Sequence, residues 1–102
     1  MATSILDAFR LDGKVAIVTG SGRGIGEETA RAFAEVGARV VCVARSADQI
    51  EDTVSAIEDQ GGEGLSVVCD LTEAGSADEV VARAVERFGA VDILVNNAGG
   101  GG

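Results

Sequence analysis

The sequence predicts an α/β fold: a Rossmann-like, doubly wound parallel sheet, of which this chain holds the first half, ordered strand, helix, strand, helix, strand, helix, strand. Three observations carry that prediction. Four short runs rich in β-branched residues alternate with three segments of helical periodicity, and glycines cluster at the junctions between them. Strands separated by a single helix lie parallel and join through right-handed crossovers. A doubly wound sheet orders its first strands 3-2-1-4, which places ligands at the carboxyl ends of strands 1 and 4.

Each element follows from its residues. Lys14 to Thr19 is an apolar run that ends in glycines and reads as a strand buried on both faces. From Ile25 to Val36 the residues Ile25, Thr29, Phe33 and Val36 share one helical face, and Gly37 ends the helix. Arg39 to Ala44 is the second strand. Ser46 with Gln49 has the spacing of a capping box, and Ile50, Val54 and Ile57 form the stripe of a second helix, closed by Gly61 and Gly62. Leu65 to Cys69 is the third strand. Ser76 with Glu79 repeats the capping spacing ahead of a helix whose stripe is Val81, Val85 and Phe88, and Gly89 closes it. Val91 to Val95 is the fourth strand, running into Asn96-Asn97-Ala98-Gly99.

A length of 102 residues, with 46% apolar and 25% charged residues, suits one domain spanning 1–102. Eight basic against 17 acidic residues give a net charge of -9, which repels nucleic-acid phosphates and anionic membrane surfaces. Neither is expected as a partner. No apolar stretch approaches a membrane span, and Met1 to Asp7 has neither the basic start nor the apolar core of an export signal, so a cytoplasmic protein is expected. Cys42 and Cys69 lie far apart in apolar runs and read as buried reduced thiols. With no histidine in the sequence, a histidine base or histidine-based triad has no residue to form it, and zinc spacing is absent as well.

The chemistry concentrates in Thr19-Gly20-Ser21-Gly22-Arg23-Gly24-Ile25-Gly26, directly after the first strand. Glycines here let the backbone turn tightly and approach a ligand without Cβ clashes, and the amides of the helix that follows point at an anion. A pyrophosphate is the expected ligand. The strict G-x-G-x-x-G spacing does not occur, and no Gly-Lys-Ser/Thr follows to make a Walker loop.

This loop resembles the T-G-x-x-x-G-x-G motif of the classical short-chain dehydrogenase/reductase family, and Asn96-Asn97-Ala98-Gly99 resembles that family's N-N-A-G motif. Asp70 matches a third family position, so the resemblance runs from about Leu11 to Gly99. Within the family, Arg10-Leu11-Asp12-Gly13-Lys14 and the glycine run after Asn97 look similar to bacterial hydroxysteroid dehydrogenases and oxoacyl carrier-protein reductases. The resemblance implies an oxidoreductase that moves hydride between a nicotinamide dinucleotide and an alcohol or ketone. It implies cofactor contacts at Gly20, Ser21, Arg23, Gly24, Ile25 and Gly26, at Asp70 and Leu71 beside the adenine, and at Asn97, Ala98 and Gly99 along the adenosine ribose. Asp70 can instead cap the turn that follows it, and the paired asparagines can instead tie strand ends together.

The end of the second strand selects between the two dinucleotides. Arg45 and Ser46 stand where NAD-binding members carry a carboxylate. A guanidinium fork and a hydroxyl suit a 2′-phosphate, and Arg23 resembles a second phosphate contact, so NADP is expected over NAD. The family's tyrosine and lysine pair, its catalytic serine and its helical asparagine would all lie beyond Gly102. The sequence contains no tyrosine, so no residue in it is expected to be catalytic and the chain alone is expected to be inactive. Two readings remain at this point: the N-terminal part of a longer oxidoreductase, homo-oligomeric when complete, or a nucleotide-binding or interaction module without catalysis. The fourth strand, bare at a sheet edge, favours the first.

Overall fold

A computed structural model describes residues 10–97, so the expectations for Ala98 and Gly99 lie outside the described residues. Seven elements alternate: β1 (Val15–Thr19), α1 (Gly24–Glu35), β2 (Arg39–Ala44), α2 (Ala47–Asp59), β3 (Glu63–Val68), α3 (Ser76–Phe88) and β4 (Ile93–Asn96). The four strands pair in parallel in the order β3-β2-β1-β4, as the strand spacing predicts.

Apart from Thr19 at the end of β1 and Arg39 at the start of β2, the central strands are apolar, and both their faces are covered. Val18, Val40 and Cys42 point to one side and pack with Ala30, Ala38, Ile50 and Ile57, the core beneath α1 and α2. Val15, Ile17, Val41 and Val43 point to the other and pack with Val67, Val80 and Ala84, the core beneath α3. Two helices therefore cover one face of the sheet and one helix the other.

Two apolar stripes differ from expectation. In α1 the buried residues are Gly26 and Ala30, while Ile25 is 76% exposed. In α3 they are Ser76, Val80 and Ala84, while Val81 and Val85 are 47% and 46% exposed. Small side chains bring each helix close to the sheet, and the larger apolar residues fall one position off the contact line. The start of α3 also differs. Its N-cap is Gly75 at φ 83°, and Ser76 lies inside the first turn with its hydroxyl donating to Glu73 O at 2.7 Å. Ser46 does cap α2, its hydroxyl accepting from Gln49 N at 3.4 Å.

Among the described residues no helix is long and apolar enough to cross a membrane, and no cluster of three or more histidine, cysteine or acidic side chains could hold a metal ion.

Candidate functional site

The glycine loop leaves β1 at Thr19, whose partners across the sheet are Val43 on β2 and Asn96 on β4. This junction is at the carboxyl end of the sheet, where the strand order reverses about β1. The Thr19 hydroxyl lies 3.0 Å from Asn96 Oδ1 and 3.3 Å from Val95 O as donor, and it accepts from Asn97 N at 2.9 Å. One side chain thus joins the start of the loop to the asparagine turn, bringing together two sequence motifs separated by almost the whole chain.

The loop needs glycine for two separable reasons. Gly20 and Gly24 adopt φ of 64° and 62°, the left-handed region that other residues rarely enter. Gly26 is buried, and a Cβ on it would run into the Gly20 carbonyl, so the first turn of α1 packs directly on the end of β1. Glu27 N donates to Arg23 O at 3.3 Å. Helix geometry leaves the amides of Gly24, Ile25 and Gly26, ahead of it, without intrahelical acceptors and facing out along the helix axis. Arg23, the N-cap of α1, and Ile25 are both exposed at this mouth.

Ser21 faces the other way. It is completely buried, its Oγ accepts from Val43 N at 3.0 Å, and Ser21 N donates to Val43 O at 3.2 Å. Thr53 on α2 is also fully buried and donates to Ser21 O at 3.0 Å. The underside of the loop is therefore fixed to β2 and α2, leaving the backbone of its upper surface for a ligand. Sequence reading had not singled out Thr53. Its signal was a lone hydroxyl on the buried stripe of α2, between Ile50 and Ile57.

At the end of β2, Arg45 is exposed and Ser46 half-buried. Across from them, Asp70 Oδ1 accepts from Thr72 N at 2.9 Å and from Thr72 Oγ1 at 2.6 Å, the turn-capping arrangement. Those bonds hold its carboxyl below the usual carboxylate range, and the charge of Arg45 adds to the effect. Leu71 is half-buried and packs on the core beneath α3. At the end of β4 the side-chain Nδ2 of Asn97 is buried and has no hydrogen-bond partner among the described residues. A buried amide donor without an acceptor is costly. It needs an acceptor from a ligand or from further protein.

A strand-to-helix glycine turn with outward amides, two flanking arginines and an orphaned amide at the neighbouring strand end together define a nucleotide-binding α/β fold with a cradle that fits a pyrophosphate. Residues 14–102 match the family model described as short chain dehydrogenase, and the chain belongs to that family. It is 47% identical over 96 residues to the 7alpha-hydroxysteroid dehydrogenase of Escherichia coli strain K12, a match covering 94% of this chain and 38% of that protein. Versicolorin reductase of Emericella nidulans is 43% identical over 94 residues, covering 91% of this chain and 36% of that protein. The chain thus spans less than half the length of these relatives. Among solved structures, a 7 alpha-hydroxysteroid dehydrogenase complexed with NADH and 7-oxo glycochenodeoxycholic acid superposes with a TM-score of 0.92 at 45% identity, covering 98% of this chain and 39% of that one. A metagenomic short-chain oxidoreductase in complex with NADP superposes with a TM-score of 0.83 at 41% identity, covering 89% of this chain and 41% of that one.

Proposed function

We propose that this chain is the nucleotide-binding N-terminal part of an NADP-dependent oxidoreductase that moves hydride between the cofactor and an alcohol or carbonyl carbon. The observation that carries the reading is the loop itself, with its lower face bonded to β2 and α2 and its upper amides free for an anion. The nicotinamide supplies or accepts the hydride when the cofactor is bound. The chain's own residues bind and orient it: the amides of Gly24, Ile25 and Gly26 take the pyrophosphate, Gly20 and Ser21 shape the turn, and Arg23, Arg45 and Ser46 take a 2′-phosphate. Asp70 and Leu71 flank the adenine, and Asn97, Ala98 and Gly99 line the ribose. Ser21 contributes through its backbone, since its hydroxyl is engaged inside.

The sequence has no tyrosine, so under this reading the 102 residues alone lack the family's proton-transfer residue and are inactive. The complete protein would be a homo-oligomer acting on a small alcohol or ketone. Two free thiols fit a cytoplasmic setting. NAD is a second reading, favoured by the NADH bound to a relative 45% identical to this chain.

Calorimetric titration with NADPH and NADH separates these readings. Tighter binding of NADPH is expected, and Arg45→Asp should weaken NADPH by roughly tenfold or more while leaving or improving NADH, the scale of one charge-assisted phosphate contact exchanged for a like-charge one. An unchanged preference in the variant rejects Arg45 as the discriminator. Binding of neither nucleotide rejects the cofactor reading.

A further inference from the structure

The rim of the cradle holds a residue that the glycine motif and the end of β2 do not by themselves point to. Gly22 is buried, and what closes over it is the side chain of Gln49: a Cβ built on Gly22 would meet Gln49 Cβ and Oε1 at 3.1 Å each and Ala44 Cβ at 3.4 Å. Gly22 directly precedes Arg23 and Ala44 directly precedes Arg45, so the Gln49 amide lies where the two arginine-bearing segments converge. It is exposed at that junction. Its backbone is held from beneath, since the buried Thr53 hydroxyl lies 3.2 Å from Gln49 O and 3.0 Å from Ser21 O, and Gln49 N donates to Ser46 Oγ. The first turn of α2 and the glycine loop are thereby fixed to each other.

From this placement we infer that Gln49 is a specificity-determining residue of the cofactor site, its carboxamide donating to the substituent on the 2′ carbon of the adenosine ribose and favouring phosphate there. The inference rests on the NADP reading above. A carboxamide offers two N–H donors without adding negative charge. The exposed acid next to it, Asp48, lies in the first turn of α2, where its charge suits the helix dipole, and contributes no donor. A carboxylate at position 49 would face the phosphate from hydrogen-bond range, whereas a ribose hydroxyl could still donate to it.

The test titrates the chain with adenosine 2′,5′-bisphosphate and with adenosine 5′-monophosphate, which differ only at the 2′ position, using wild type, Gln49→Glu, Gln49→Leu and Gly22→Ala. Wild type should prefer the 2′-phosphorylated probe. Gln49→Glu should cut that preference by roughly tenfold, the scale of a lost charge-assisted bond and a gained repulsion. Gln49→Leu should cut it less, and Gly22→Ala, which displaces the Gln49 side chain, should resemble Gln49→Leu. A preference unchanged within about twofold in both Gln49 variants overturns the inference and leaves the proposed function standing. Wild type that binds neither probe overturns both.

Discussion

Cys42 lies on β2 with its thiol fully buried in the core beneath α1 and α2, one residue before the strand position that bonds Ser21. Burial pushes its pKa from 9.0 up to about 11, with the nearby Ser21 side chain pulling weakly the other way. Because the folded value lies above the unfolded one, the neutral thiol's contribution is fully present below pH 9 and is lost as the pH rises through about 11. Denaturant titrations of wild type and Cys42→Ala across pH 8 to 11 should therefore diverge, wild type losing about 2–3 kcal/mol more than the variant. Parallel curves would show that the thiol does not ionise on unfolding. At this scale the sequence was informative about identity and silent about direction. It placed Ser21 in the loop and offered turn capping as one role of Asp70, which the bonds from Thr72 N and Oγ1 bear out, whereas the inward turn of the Ser21 hydroxyl to Val43 shows only in the fold. Thr53 escaped singling out, and Gln49 was read only as the capping-box partner of Ser46, because what each side chain meets depends on which face of α2 lies against the loop.

The helices differ in how well their patterns could be read. In α2 the expected cap, Ser46, and the expected stripe residues Ile50 and Ile57 are in place, because the helix has a single narrow apolar face. In α3 apolar residues occupy a wider arc, and hydropathy alone selected Val81 and Val85 where packing chose Val80 and Ala84. The supposed cap Ser76 yields to Gly75, which stands at φ 83° ahead of the helix, while Ser76 turns its N–H and hydroxyl back to Glu73 O. One consequence is measurable. Ser46→Ala should lower stability by about 0.5–1 kcal/mol in chemical denaturation, the worth of a long cap bond, without changing the cooperativity of unfolding. No loss would mean that solvent replaces the hydroxyl.

At the scale of the molecule, the two sides of the sheet are unequal. Val81, Val85 and the 65%-exposed Leu94 all belong to the side that α3 alone covers, since Leu94 pairs with Ile17 and shares its face. Among the described residues β4 has one strand neighbour, β1. An apolar strand with an open edge invites pairing with other chains. The 102-residue chain on its own should self-associate in sedimentation at micromolar concentration, and Leu94→Lys should shift it toward monomer. A monomer indifferent to that change would locate the apolar contact elsewhere. The strand order was legible because spacing and chirality leave few alternatives, whereas this imbalance was not, because periodicity does not say which side of a sheet a helix takes.

The bonds at Thr19 also set an order of assembly. Strands β1, β2 and β3 pair with their neighbours in sequence, each closing a loop of one helix, whereas β4 must return across nearly eighty residues to bond Thr19 and to place Asp92 Oδ2 on Val15 N at 2.9 Å. Loop closure over that span costs more entropy and is repaid late. As the chain leaves the ribosome, the first three strands can form while β4 is still being made, and the Thr19–Asn97 tie closes last of these contacts. A nascent chain halted before β4 would then carry the glycine turn without the bonds that tie Thr19 to Asn96 and Asn97.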